Sequence, residues 1–308
     1  MLREQASRYS TLDFLARQVV EGFIVGRHRS PFHGYSAEFS DYRQYNDGES
    51  TRNIDWHLYA RTDRLYVKQF EEETNLRCRI VVDNSGSMLF PTDGHADFVS
   101  PNKLTFAALA ATVLVEVLYR QRDAFGLTLV ADGIGLSTPC RSSAAHRRHI
   151  VGELEKLVQP LSLPASEPHS TGIAQSLHIM AEAMHRRSLV VIFTDAFVGD
   201  GEQELLFDAL RHLRHNKHEV ILFHTYHRRH EMNLDYGTAP VRFIDLENGR
   251  VLKLQPQDVA EKYSLEMNKQ RNLLQQRAMQ YNIDYVAVDV EQGCEQVLTP
   301  FLLRRSKM

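Results

Sequence analysis

From Cys78 onward, five short apolar runs recur, each separated from the next by a stretch with helical periodicity. This alternation constrains the fold more than anything else in the 308-residue chain. The runs are "CRIVVD" at Cys78, "FGLTLVAD" at Phe125, "SLVVIFTD" at Ser188, "EVILFHTY" at Glu219 and "IDYVAVDV" at Ile283. Strands that read as continuous apolar blocks are buried on both faces, and strands alternating with helices predict a mainly parallel sheet covered by helices on each side.

The helical stretches support this reading. Lys103 to Arg120 is apolar almost all round and is predicted to be buried, whereas Ile173, Leu177, Met180 and Met184 step along one face, as do Leu206, Ala209, Leu210 and Leu213. A longer helix is expected to start at Pro256 and to turn Val259, Tyr263, Met267, Leu274, Ala278 and Tyr281 inward, and a last one to run from Glu295 to Leu303. Two regions interrupt the pattern. Asn248-Gly249 between strand-like runs predicts a hairpin insertion over 241–255. Residues 1–75, with a helical start near Thr11 to Val25, a loop-rich middle and the strand-like "RLYVKQFEEE", are expected to form an extension packed on a main domain of residues 76–308.

Composition excludes several function classes. Lys and Arg number 36 against 39 Asp and Glu, so no bulk charge favours nucleic acid or an anionic membrane. Cys78, Cys140 and Cys294 are widely spaced and match no zinc or redox pattern; they read as buried reduced thiols in the cytoplasm. Neither a membrane span nor a signal peptide is expected. The histidine-rich clusters "HRRHE" at His227, His146 to His149, and His212 to His215 have the wrong order for a zinc motif and are expected to be solvated surface. There is no phosphate-binding Gly-rich loop and no nucleophile elbow, so no catalytic or nucleotide-binding residue is assigned.

The informative chemistry sits where the first buried strand ends. Asp83, Ser85 and Ser87 in "DNSGS" place three oxygen-bearing side chains at alternate positions at the carboxyl end of a strand, where open α/β sheets bind ligands. Oxygen donors of this kind suit a hard cation such as Mg²⁺, which takes about six oxygens at roughly 2.0–2.1 Å. This pattern resembles the metal-ion-dependent adhesion site of the von Willebrand factor A fold, a three-layer α/β/α sandwich. The resemblance implies two further ligands, matched here by Thr171 in "HSTGIAQSL" and Asp195 in "VVIFTD". The implied site is therefore Asp83, Ser85, Ser87, Thr171 and Asp195, holding Mg²⁺, with Mn²⁺ or Ca²⁺ as alternatives.

The segment from Gly26 to Glu73, with Phe39, Arg43, Tyr45, Gly48, Arg52, Ile54, Asp55, Trp56, Ala60 and Arg61, resembles the bacterial domain of unknown function 58 family. The likeness continues through "FIDLENGRV" and "FLLRR". Arg43, Arg52, Asp55 and Arg61 are read as architectural, pairing with one another or with Glu71 to Glu73. By this resemblance the chain is expected to be a non-enzymatic interaction module, an adaptor or co-chaperone for a MoxR-type AAA+ ATPase. Its ion would accept an Asp or Glu of that ATPase or its client, and the loop from Leu89 to Asn102, with Phe90, Pro91 and Phe98, would widen the contact. The alternative is a metal-dependent phosphoester hydrolase using Asp83 as nucleophile, in which Ser85 stands where such enzymes usually carry a second Asp.

Overall fold

A computed structural model of the chain describes residues 11–24, 37–45, 54–72, 76–92, 98, 101–158, 172–196, 203–246 and 249–305. The chain divides into two compact units, residues 1–31 with 77–308, and residues 32–76. The first described helix, α1 (Thr11–Ile24), thus belongs with the larger unit, and the stretch read as one extension contributes to both.

The smaller unit pairs β1 (Ala37–Gln44) antiparallel with β2 (Tyr66–Glu72), joined through α2 (Trp56–Thr62). Asp55 caps that helix, accepting the amides of His57 and Leu58 at 3.0 Å each. Its carboxylate therefore satisfies helix-end donors, a stabilisation of about 1 kcal/mol. Trp56 meets Tyr59 edge to face. Arg52 lies outside the described residues.

The larger unit contains β3 (Arg77–Asp83), α3 (Lys103–Arg120), β4 (Ala124–Val130), β5 (Ile134–Ser137), α4 (Ala144–Val158), α5 (Ile173–Ala183), β6 (Leu189–Thr194), α6 (Gln203–His215), β7 (Glu219–Tyr226), the hairpin β8 (Val241–Ile244) and β9 (Val251–Leu254), α7 (Pro256–Gln280), β10 (Asp284–Asp289) and α8 (Cys294–Arg305). The sheet order is β10-β7-β6-β3-β4-β5, with β5 alone antiparallel.

Alternate residues of the central strands serve the two faces. Val81, Val190, Ile192, Val220 and Leu222 share a core with Ile173 and Leu177 of α5, Leu206 and Leu210 of α6, and Leu274 and Ala278 of α7. On the opposite face Phe193 stacks on Phe223, which meets Phe301 of α8. Helix α3 lies against β3 and β4, with α1, α4 and α8 packed around it. That encasement explains why its sequence shows no polar stripe: Lys103 through Leu118 are all buried.

The structure corrects two surface expectations. His146 and Arg147 are buried rather than solvated. His146 stacks on Phe125 and donates from Nε2 to its carbonyl at 3.0 Å. Arg147 joins Asp13 of α1 to Glu116 of α3, whose other oxygen accepts from Arg120 at 2.7 Å. A buried guanidinium is tolerated because its fork meets two carboxylates. In α7, Val259 is exposed, Tyr263, Met267 and Tyr281 are half-buried, and Leu274 and Ala278 are buried, so the inward stripe deepens toward the second half of the helix. Among the described residues no helix is long and apolar enough to cross a membrane.

Candidate metal site and the groove beside it

The β3–β6 register sets Val82 beside Phe193, which brings Asp83, Thr194 and Asp195 together at adjacent strand ends. Asp83 is fully buried. Its Oδ1 accepts the amide of Ser85 at 3.0 Å and its Oδ2 accepts the hydroxyl of Thr194 at 2.6 Å. The chain then turns through a short 3-10 helix, Gly86–Leu89, that holds the hydroxyls of Ser85 and Ser87 3.1 Å apart. Glycine is required at 86 because any Cβ there would lie 2.5 Å from the carbonyl oxygen of Leu246, at the end of β8's hairpin arm.

Burial, and after it the charge of Asp195, pushes the Asp83 carboxyl up to about 6. Asp195 is itself buried and is held on two sides. Lys103 donates to its Oδ2 at 2.6 Å, and also to Oε1 of Glu231 at 2.8 Å. Burial acts to lower the Lys103 ammonium, but the two carboxylates prevail and hold it above the ordinary lysine range. His224 donates from Nε2 to the Asp195 carbonyl at 2.9 Å, which leaves Nδ1 to accept from Tyr285 at 2.7 Å. Burial lowers His224 to about 4, so this imidazole is neutral.

Four of the five residues assigned from sequence therefore converge: Asp83, Ser85, Ser87 and Asp195. Thr171 lies outside the described residues. Gly172, next to it in sequence, donates to the Ala131 carbonyl at 2.7 Å, beside the end of β4. Sequence reasoning passed over Lys103 and Glu231. The cue for Lys103 is a lysine opening a helix that is otherwise apolar all round. Glu231 was hidden in "HRRHE", whose surface assignment holds for Arg228 and Arg229 but not for its two ends: His227 is buried, and Glu231 ties Lys103 with one oxygen and the amide of His227 with the other.

Beside Ser87 opens a groove of about 540 Å³, lined by Phe90, Leu234, Phe243, Ile244 and Tyr263 as well as by Lys103 and Glu231. Its apolar walls come from the hairpin, the turn after β7 and helix α7. Among the described residues of the 89–102 loop, Phe90 reaches it.

Residues 41–273 match the family described as "Protein of unknown function DUF58". The chain belongs to that family. This DUF58 chain is 26% identical over 199 residues to uncharacterized proteins of Mycobacterium bovis and Mycobacterium tuberculosis, covering 63% of this chain and 57% of theirs. It thus spans less than two thirds of the length of those curated relatives. Among solved structures it is similar to the conserved hypothetical protein BatB from Bacteroides thetaiotaomicron, with a TM-score of 0.45, 15% identity, and coverage of 76% of this chain and 100% of that one. The SpRpn10 VWA domain gives a TM-score of 0.34 and 16% identity, over 49% of this chain and 75% of that one.

The DUF58 chain has the expected mainly parallel α/β sandwich, with its candidate site at the strand ends. Among the described residues no group of three or more His, Cys, Asp or Glu side chains is poised to hold an ion. The donors gathered here are instead two carboxylates and two hydroxyls, all hard oxygens. They fit Mg²⁺ and not a thiolate- or imidazole-seeking metal.

Proposed function

We propose that the chain is a non-enzymatic protein-interaction module that binds a divalent cation, Mg²⁺ foremost, through Asp83, Ser85, Ser87, Thr171 and Asp195, and offers it to a partner carboxylate. When bound, the ion supplies a Lewis-acidic position that an Asp or Glu of the partner completes. The observation that carries this reading is the buried Asp83, raised to about 6 beside a second carboxylate and next to two touching hydroxyls. Negative charge concentrated among hard oxygens is relieved by a small cation.

Asp83 and Asp195 would supply charge, and Ser85 and Ser87 neutral oxygens. The amide of Ser85 and the hydroxyl of Thr194 orient Asp83. Because both oxygens of Asp83 are hydrogen-bonded and the residue is fully buried, neither is presented as a phosphoryl-accepting nucleophile, which supports the non-enzymatic reading over hydrolysis. The groove beside Ser87 would take apolar side chains flanking the partner's carboxylate.

The partner fitting the family resemblance is a MoxR-type AAA+ ATPase or its client, for which the chain would act as adaptor. Pull-down of such an ATPase should require Mg²⁺ and be lost with chelator or with Ser85→Ala. Calorimetry should show one divalent site, abolished by Asp83→Ala. Undiminished Mg²⁺ binding in the Asp83→Ala, Ser85→Ala double variant would sink the site assignment, and pull-down surviving both chelation and Ser85→Ala would sink the metal-mediated contact.

A further inference from the structure

Lys103 is the least explained residue of the larger unit by local rules alone. It opens α3, where a positive charge opposes the helix dipole, and its side chain is only 1% exposed. A buried ammonium persists only where carboxylates meet it, and here Asp195 at 2.6 Å and Glu231 at 2.8 Å do so. The backbone beneath it is clamped: its amide donates to the Phe90 carbonyl at 3.0 Å, and Asn102 caps the helix through the amide of Thr105 at 2.7 Å. Only the flexible side chain is free to shift. Glu231 is anchored independently through the His227 amide at 2.9 Å, so it stays in place whether or not the lysine also reaches Asp195.

We infer that Lys103 is a tethered cation of this site, one that holds Asp195 without a metal and cedes it to a divalent ion while staying on Glu231. The inference rests on the reading of Asp195 as a metal ligand. An ammonium on Oδ2 of Asp195 and a divalent ion on the same carboxylate repel at such short range, so each weakens the other's hold on it. The lysine therefore sets the affinity: it keeps the carboxylates compensated before the ion arrives and opposes the ion's entry. Glu231 acts as the second seat that makes the exchange possible. Lys103 and Glu231 are positioning residues, since neither would touch the ion.

The test is calorimetric titration of the full chain with MgCl2, paired with melting temperature with and without Mg²⁺, for the wild type, Lys103→Met and Glu231→Gln. Lys103→Met should tighten Mg²⁺ binding by about 5- to 150-fold, the range of coupling between two binding events. It should also make the melting temperature depend more steeply on Mg²⁺. Glu231→Gln should do the opposite, because the whole ammonium charge then falls on Asp195. A merely structural role would lower stability in both variants without moving the affinities in opposite directions.

Equal or weaker binding in Lys103→Met, with the wild type binding normally, overturns the tethered cation and leaves the metal site standing. Binding by Lys103→Met alone supports the tethered cation and removes the ion from the native protein. No binding in either overturns both. If Lys103→Met does not fold, Glu231→Gln decides: weaker binding supports the inference, and unchanged or tighter binding overturns it.

Discussion

Thr194, the last residue of β6, donates its hydroxyl to Oδ2 of Asp83, the last residue of β3, at 2.6 Å, and accepts the amide of Ala196 at 2.9 Å. One hydroxyl thus joins two neighbouring strand ends and shapes the turn that carries Asp195. Thr194→Val keeps the volume but removes both bonds, leaving buried partners unsatisfied. It should cost about 1–3 kcal/mol in chemical denaturation and weaken Mg²⁺ binding, while Thr194→Ser retains most of both. A valine variant as stable as the wild type would mean that this bond contributes nothing.

Acid stability should reveal two opposed buried groups. His224 is lowered from 6.5 to about 4, so the unfolded chain binds more protons between those values. Its contribution, about 3 kcal/mol, is present above pH 6.5 and is lost as pH falls through 4. Asp83 is raised from 3.8 to about 6, so the folded chain binds more protons there, and stability is gained as pH falls through that window. The two nearly offset in the wild type. Measured by urea denaturation from pH 7 to 4 without metal, Asp83→Asn should unmask the loss carried by His224, and His224→Phe should leave the Asp83 gain alone, so that stability rises as pH falls. Parallel curves for the two variants would contradict the assignment.

Gly86→Ala places a methyl 2.5 Å from the backbone oxygen of Leu246, where no side chain can swing aside. The hairpin or the 3-10 turn has to move, at a cost of about 1–3 kcal/mol. Amide exchange should accelerate in β8 and β9 ahead of the central strands. Unchanged protection there would show that the hairpin yields without strain.

Arg147 is expected to be structural despite its place in a basic run. Arg147→Met removes the cation that Asp13 and Glu116 share, leaving them to Arg17 and Arg120, and should cost about 1–3 kcal/mol in thermal or urea unfolding. Substitution of the exposed neighbour Arg148 should have little effect by the same measurement. Equal effects at the two positions would remove Arg147 from its interior role.

The sheet was legible because buried parallel strands leave continuous apolar blocks, and Asp83, Ser85, Ser87 and Asp195 because each stands at the end of such a block. The edge strand β5 was not, since "IGLS" is short, half polar and mostly exposed. Nor was β1, whose "AEFSDYRQ" offers few apolar residues to mark it. Lys103, Glu231 and Arg147 escaped for a different reason. A charged residue is buried only when partners far away in sequence arrive to compensate it, and Lys103 meets Glu231 across 128 positions. Local pattern carries no trace of that.

The union of residues 1–31 with 77–308 has a consequence for synthesis. The bond between Asp13 and Arg147 spans 134 positions, and α1 also packs on α8 near the far end of the chain. At about 5–20 residues per second, a ribosome needs about 7–27 s after making Asp13 to deliver Arg147, and longer still to deliver α8. Throughout that interval Leu12, Ala16 and Val20, all interior in the finished protein, have no permanent surface to rest on. Helix α1 is thus a nascent segment that must be kept waiting, and until its partners are made its apolar face is open to a chaperone bound to the growing polypeptide.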